Sequence, residues 1–550
     1  MNKIITLSLI LVCFTLKPAH SQDTTAISSE KVEVIKSYQA AILQAKKKKI
    51  PVSRKEQTQT PIRYNYNVTT EKVIDFERPD PEIKALGYQG GPITNKDAKN
   101  GYIYGGYGNK ASLNLGAAYH YYIEDWLDAG FKVDHFSAKD SVGLFGSSQG
   151  PLASYSNTEA DAYLGYSLGT QTKIKLAGHS DFSRHRDYIS FFDDSLSIIP
   201  VNRYGVDLGF SHNVFEDSGF VLRLGVGYES SKNKLDDFGD NGYKADINIL
   251  KTISDKISVE LPASYSRISP KDSLSEGLTS VGDLQLSPSI RYKGENYRAK
   301  VGLEYITGDE VNYIFPIIDI ELNQVVEKFD LRLYTCSDYR RNSLYELSDI
   351  HPYYNSFTTD YSGYYHRAYN MMVSRMIGPL NTSLNFAYEI YDNDFNFVEN
   401  LTRDVSRQNL EYVDREAFSI APEIRYSLDD KVDIGLSGTY NIFLTDSLDL
   451  FYKPTFTLGL HGKERLVNDK LELTQDLVYN SRRMVSQEII DGVLFDLDRF
   501  VDISLGVKYH ISRTLSIYAK GTNLLGQEYF NWARQPLFRQ QVWGGVKFRF

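Results

Sequence analysis

From Tyr102 to the carboxyl end, the chain alternates apolar and polar positions with a period of two, in runs of about ten residues joined by polar connections. In Phe220 to Tyr228 the apolar row is Phe220, Leu222, Leu224, Val226 and Tyr228, opposite Val221, Arg223, Gly225 and Gly227. The stretch 431–442 repeats the pattern with Val432, Ile434, Leu436, Tyr440 and Ile442 against Asp433, Ser437, Thr439 and Asn441. In 501–511, Val501, Ile503, Leu505, Val507 and Tyr509 oppose Asp502, Ser504, Lys508 and His510. The final ten residues place Val542, Gly544, Val546, Phe548 and Phe550 on one side, with Trp543, Gly545, Lys547 and Arg549 on the other. A row that recurs at every second residue is one face of a β-strand. On the last strand of an open sheet it would be an exposed apolar edge, and closing the sheet into a barrel removes that edge.

The connections alternate in length. Phe215 to Ser218, Ser254 to Lys256, Gly294 to Asn296, Asp429–Asp430 and Ser512–Arg513 are short. Ser137 to Ser156, Glu229 to Asn241, Ser337 to Ser362, Asp392 to Tyr412 and Ser481 to Asp491 are long polar excursions. Short turns on one rim and long loops on the other are the habit of outer-membrane barrels, with the short turns facing the periplasm. With both termini on that side, the strand number is even. The pattern predicts an all-β fold, a transmembrane antiparallel β-barrel of about 22 strands. The first opens near Tyr102 and the last near Leu537, with others near Val325, Leu450 and Leu494.

The amino end departs from this pattern. Lys3, an apolar run from Ile4 to Leu16 and the small-x-small triplet Ala19-His20-Ser21 form a secretory signal peptide over residues 1–21. Cys13 falls within it, which leaves Cys336 as the single cysteine of the mature chain and no partner for an intramolecular disulfide. Residues 22–97 are read as a periplasmic or lumenal segment. A helix over Ser29 to Lys49 is expected from Val32, Ile35, Tyr38 and Ile42, followed by an extended stretch punctuated by Pro51, Pro61, Pro79, Pro81 and Pro92. The barrel then occupies residues 98–550.

Composition narrows the partners. The 41 Tyr and 28 Phe suit the boundary between lipid and water, where an apolar ring and a wet hydroxyl are both useful. A net charge of -9 argues against nucleic acid. Downstream of the signal no apolar run is long enough for a spanning helix, so an exported chain of this kind crosses a membrane only as a closed barrel.

The closing block Gly521 to Phe550, with Asn523, Leu524, Leu525 and then Tyr529, resembles the last hairpin of TonB-dependent receptors. The third position of that phrase, Leu525, departs from the family pattern. The opening block NGYIYGGYGNKASLNLGAAYHYY, followed by FKVDHFSAKD, is similar to the first strands of plugless receptor-like barrels of Bacteroidetes type. The resemblance implies location in the bacterial outer membrane, contact with outer-membrane lipid, and insertion by the barrel assembly machinery through Phe550. It also implies a pore or uptake component. The segment ahead of Tyr102 is shorter than a receptor plug and broken by prolines, so a full plug is not expected. The alternative function is a structural or accessory subunit of a larger outer-membrane complex, with outer-membrane or periplasmic protein partners.

No catalytic, cofactor-binding or metal-binding residues are assigned, and no enzyme activity is expected. The run Gly178 to Arg186 brings His179, Ser180 and Asp181 together, but neighbouring residues of a strand point to opposite faces, so His179 and Ser180 do not form a base and nucleophile. The run Asp392 to Asn396 places oxygen ligands at alternate positions without the glycine that an EF-hand loop needs to turn, and it is read as a polar rim loop. Asp236, Asp237 and Asp240 are read the same way. Arg223, Lys300, Glu304, Lys508 and Lys520 are assigned to a wet lumen.

Overall fold

The computed structural model describes residues 100–550, apart from 124–125, 142–151, 187–197, 215–218, 272–277, 327–328, 400–407, 429–430, 445–451, 491–492 and 533–534. The expected signal peptide over residues 1–21, and segment 22–97 with its expected helix, lie outside the described residues. The alternating runs form one antiparallel sheet. In chain order its first eleven strands are β1 (Gly101–Gly108), β2 (Leu113–Ile123), β3 (Leu127–Ser141), β4 (Leu152–Leu168), β5 (Thr172–Arg186), β6 (Ile198–Val214), β7 (Phe220–Asn233), β8 (Phe238–Ser254), β9 (Ile257–Pro270), β10 (Val281–Leu286 continuing as Ser289–Lys293) and β11 (Tyr297–Gly308). The remaining eleven are β12 (Val311–Val326), β13 (Phe329–Arg341), β14 (Gly363–Ile377), β15 (Leu380–Glu399), β16 (Gln408–Leu428), β17 (Val432–Phe443), β18 (Phe456–Leu466), β19 (Leu471–Asn480), β20 (Phe500–His510), β21 (Leu515–Thr522) and β22 (Gln541–Arg549). Both pieces of β10 pair with β9 and β11, so the 23 segments of the sheet are 22 barrel strands.

The last strand closes the sheet on the first. Tyr102 pairs with Arg549, Tyr104 with Lys547 and Gly106 with Gly545. Gly101 and Phe550 exchange N–H···O bonds of 3.0 Å in both directions. The seam thus pairs its backbone groups within the sheet and leaves no open edge between β22 and β1, as a lipid environment demands. The apolar row read on β22 is the outer face: Val542, Val546, Phe548 and Phe550 are exposed, while Trp543 and Lys547 are buried inside. Exposed aromatics flank the apolar band at both rims, with Trp126, Tyr166, Tyr426 and Tyr509 near the short turns and Tyr107, Tyr204 and Tyr243 toward the long loops.

Three segments differ in detail from the sequence expectation. Val325 lies near the end of β12 and the next strand opens at Phe329, and β18 opens at Phe456, later than Leu450. The stretch containing Leu494 (Val493–Leu497) pairs with Arg483–Ile490 in a separate rim hairpin. The next barrel strand begins at Phe500. Long connections also shrink to short tips. In Glu229 to Asn241, strands β7 and β8 stay paired up to Asn233 and Phe238. Period-two pairing persists beyond the lipid, where both faces turn polar and the alternation of hydrophobicity fades.

Strands β15 and β16 have 20 and 21 residues, where about ten suffice to span the hydrocarbon. Their outer halves belong to a distinct leaf. Between β12 and β13 the ladder holds from Asp319–Tyr334 to Leu322–Leu331, and no pair joins Val311–Ile318 to Thr335–Arg341. On the other side the described β16–β17 ladder runs up to Ala417–Phe443 and is followed by the Leu444 amide donating to the Glu416 carbonyl at 3.0 Å. The outer ends of β13, β14, β15 and β16 therefore form a four-stranded sheet whose β13 border leaves the wall. A bulge in β15 between Tyr391 and Asp394 bends it, with Asn393 at a φ of 52°.

Strand alternation shows where the leaf goes. Glu304 on β11 and Phe315 on β12 are paired neighbours on the lumenal face, opposite the exposed Leu303 and Ile314. Tyr339 and Tyr365 are paired neighbours on the opposite face of the leaf, in the same rows as the exposed Leu333 and Met371. Yet Tyr365 lies 4.5 Å from Tyr313, centroid to centroid, and edge-on to Phe315 at 6.5 Å. Its hydroxyl donates to Glu304 at 3.0 Å. The outer half of β13–β14 is thus tucked inside β10–β12, sheet face against sheet face, around a core of Ile306, Val311, Phe315 and Tyr365.

Candidate functional site

The connection between β13 and β14, residues 342–362, reaches across to strands on other sides of the barrel. Its sequence contains a capping box, Ser343 followed by Glu346, and the helix α1 (Leu344–Ile350) starts there with Ser343 Oγ accepting from the Glu346 amide at 3.2 Å. Leu344, Leu347 and Ile350 fall on one face and are buried. They meet side chains from separate parts of the rim: Phe238 of β8, Phe395, Phe397 and Leu410 of β15 and β16, Tyr452 ahead of β18, Leu497 of the rim hairpin and Trp532 ahead of β22. A hydrophobic core assembled from elements spread round a barrel lies across its mouth. This segment is a cap.

Polar anchors fix the cap to walls five to eight strands back around the barrel. Arg203 of β6 donates to Asp349 of α1 at 2.6 Å and also holds Asp181 of β5, with its guanidinium 5.4 Å from the Tyr345 ring. His179 lies 3.2 Å from Tyr345 Oη through Nε2. The buried Asp240 of β8 accepts from the Leu344 amide at 2.7 Å. Asn233 donates to Ser356 Oγ at 2.9 Å. On the far side, the Asn355 amide donates to the Gln408 carbonyl at 2.7 Å and the Leu410 amide to Thr358 Oγ1 at 3.0 Å.

His351 sits at the centre, fully buried. It stacks on Trp532 at 4.3 Å and meets Phe397 edge-on at 4.6 Å. Gln408 spends its amide nitrogen on Tyr452 Oη at 2.8 Å, so its oxygen is the acceptor for His351 Nε2–H, also at 2.8 Å. That assigns the proton to Nε2 and leaves Nδ1 buried with no hydrogen-bond partner among the described residues. Burial pushes the imidazole pKa down to about 3, against a smaller upward pull from Gln408. His351 is neutral at physiological pH, a packing residue of the cap rather than a charged one.

The residues singled out from the sequence are distributed as follows. His179 and Asp181 face inward and hold the cap; alternation puts Ser180 on the opposite face from both. Asp392 binds the Arg367 guanidinium through both oxygens at 2.6 Å. Asp394 is held by Arg415 at 2.8 Å and Lys453 at 3.0 Å. Asp236 accepts from the Ser356 amide at 3.3 Å and Asp237 pairs with Lys232 at 2.6 Å. Asp236 and Asp240 are therefore attachment points of the cap rather than free loop acids. In the lumen, Lys300 pairs with Glu260 at 3.2 Å and Lys508 with Glu472 at 3.3 Å. Glu304 accepts from Gln285 at 2.7 Å. Arg223 and Lys520 lie in the inward rows of β7 and β21. The cap was not foreseen, although the Ser343–Glu346 box and the apolar Leu344, Leu347 and Ile350 within an otherwise polar stretch were its signal.

No protein-family model matches this chain, and no curated protein matches its sequence. Solved structures do share its fold. The siderophore receptor PirA from Acinetobacter baumannii superposes with a TM-score of 0.63 at 11% identity, over 82% of this chain and 80% of that chain. The FrpB iron transporter from Neisseria meningitidis gives 0.62 at 12% identity, over 82% of each. A ferric enterobactin receptor mutant from Pseudomonas aeruginosa, in complex with enterobactin, gives 0.62 at 12% identity, over 84% of this chain and 82% of that chain. The closed 22-strand antiparallel barrel is thus the architecture of outer-membrane receptors, and with its exposed apolar outer face it places this chain in the bacterial outer membrane.

Proposed function

We propose that the chain is an outer-membrane uptake barrel, a gated pore for solutes too large for small porins, with no chemistry of its own. The single observation that carries this is a cap built from one connection and anchored at several points around the mouth of a wide barrel. A purely structural subunit has no use for a door. The fold shared with an iron transporter and siderophore receptors supports the reading.

In this reading residues 22–97 form no full plug domain, and access is controlled at the outer mouth. The length of that segment and its prolines support this. The barrel inserts through the assembly machinery of the outer membrane, with Phe550 as its terminal signal.

Planar-bilayer recordings test the pore. The full-length protein is expected to show low or intermittent conductance, and a variant with Leu344 to Thr359 replaced by a short glycine linker a large, stable one. Silence from both sinks the uptake reading. A variant lacking residues 22–97 tests the plug: a large rise in conductance with the cap intact would show that this segment, and not the cap, closes the barrel.

A further inference from the structure

We propose that the cap does not open as a flexible loop but moves with the outer leaf of β13–β16, which acts as a hinged flap latched by Arg341 on Asp283 and by Tyr365 on Glu304. The inference rests on the gated-pore reading and names the moving part.

Four features of the wall converge on it. First, the leaf is cut free along its border with β12, where the ladder stops at Asp319–Tyr334, and it stays joined to the wall through β16, whose described ladder with β17 runs from Leu428–Val432 to Ala417–Phe443. Within the leaf the pairing is continuous from β13 to β14, from Arg341–Gly363 down to Phe329–Arg375. Bonds within it resist bending while bonds across its β12 border are missing, so it moves as one piece, hinged on the β16 side. Second, Pro316 stands at the split and offers no N–H, and the Thr335 hydroxyl replaces the missing rungs by donating to the Pro316 carbonyl at 2.8 Å and accepting from the Ile318 amide at 2.9 Å. A side chain bridges there where a ladder would have been rigid.

Third, the tucked leaf is held by the apolar core of Ile306, Val311, Phe315 and Tyr365 and by two polar latches beside it. Arg341 reaches Asp283 of β10 through Nε at 2.8 Å and Nη2 at 2.6 Å, and its other donors take the carbonyls of Asp309 at 2.6 Å and Tyr361 at 3.1 Å. Both members of the ion pair are buried. Tyr365 adds its bond to Glu304. Fourth, the cap is the continuation of β13 into β14 and cannot stay behind when their ends swing. Its anchors on β5–β8 are side-chain bonds to Asp349, the Leu344 amide and Ser356 together with the packing of Phe238 against α1, and they part together when the leaf lifts.

Spin-label distances read this directly. In full-length protein carrying Cys336→Ser and reconstituted in lipid, labels are placed at Leu235→Cys on the β7–β8 tip and Phe357→Cys on the cap. Both positions are exposed, and their neighbours Asn233 and Ser356 are in contact in the closed state. A short distance is expected in the parent. Asp283→Asn, which leaves Arg341 buried without its charge partner, is expected to raise a second, longer population by about tenfold or more. Tyr365→Phe keeps the ring and removes one bond, so it gives a smaller rise in the same population without risk to folding. A single short distance unchanged in both variants overturns the flap. A broad smear in place of a second discrete distance also overturns it, because a loosened loop and not a rigid leaf would then be moving. These distances need no current, so the flap can fail while the pore stands, and the reverse.

Discussion

Replacing Trp532 with alanine tests whether the cap is a cooperative unit with its own stability. The indole is buried, stacks on His351 at 4.3 Å, and meets Phe397 at 4.9 Å and Tyr452 at 4.8 Å, so its removal takes away three aromatic contacts and leaves a cavity. Truncating a buried aromatic of this size costs about 3–5 kcal/mol. None of that cost falls on the spanning ladder, because Trp532 precedes β22 and lies in the outer connection. The loss therefore appears as local opening of the cap and not as unfolding of the barrel. Hydrogen exchange resolves the two. The Leu347 amide donates to the Ser343 carbonyl and the His351 amide to the Leu347 carbonyl, each at 2.9 Å. A cost of about 3–5 kcal/mol should cut the protection of both by about two to three and a half decades, bounded by the stability the cap possesses. Amides of β3 to β5 should keep theirs. Unchanged protection at Leu347 and His351 would show that the cap is held by its polar anchors alone and would refute the packing argument.

Acid should loosen the same region with a definite sign. His351 has a folded pKa near 3, below the ordinary value of 6.5. Between those values the opened cap binds a proton that the closed cap refuses, so closure weakens as pH falls from 6.5, by up to about 1.4 kcal/mol per pH unit. Cap exchange rates measured between pH 6.5 and 5, corrected for intrinsic exchange, should show this, and His351→Gln should reduce it, leaving the share of His185, which is buried edge-on to Tyr353 of the cap; a slope unchanged by the substitution assigns the effect to another group. Deleting Phe550 should lower the amount of folded, heat-modifiable protein in the outer membrane, since both its backbone bonds to Gly101 and its lipid-facing ring are lost; normal insertion would count against the terminal residue as an assembly signal. At the closing seam a Cβ on Gly545 would meet the Gly105 carbonyl oxygen at 2.3 Å and Tyr518 Oη at 2.6 Å. Gly545→Val is therefore expected to destabilise the junction of β1 with β22 by about 1–3 kcal/mol, visible as a lower temperature for loss of the compact band on gels, whereas an unchanged transition would mean the seam bends to accommodate it.

The barrel was legible because a lipid-facing row leaves a plain record. Phe220, Leu222, Leu224 and Val226 alternate with Arg223, Gly225 and Gly227 whatever the loops do. The strand ends were less legible. At Asn233, Phe238 and Gln408 pairing continues beyond the lipid, where the outer face no longer has to be apolar. The cap and the leaf were hidden for a different reason. Tyr339 and Tyr365 sit in the row that alternation assigns to the outside, and only the split of the wall turns that row against β12. His179 and Asp181 read from the sequence as a strand end without catalytic pairing, and what alternation within β5 could not show is that their partners, Tyr345 and Arg203, belong to the cap and its anchor.

The free border of the leaf carries a liability that has nothing to do with transport. A strand edge without a neighbour presents unpaired peptide groups to any chain that passes. Here that border is shielded because β13 lies tucked against side chains of β11–β12 and β14, and the tip of β16 is covered by the cap, Tyr354 lying beside Gln408 in parallel. Lifting the flap would uncover that edge at the cell surface. A variant held permanently open should therefore be sticky as well as leaky, recruiting extended peptides or neighbouring copies by strand addition, and tight closure at rest protects the surface of the cell from its own barrel.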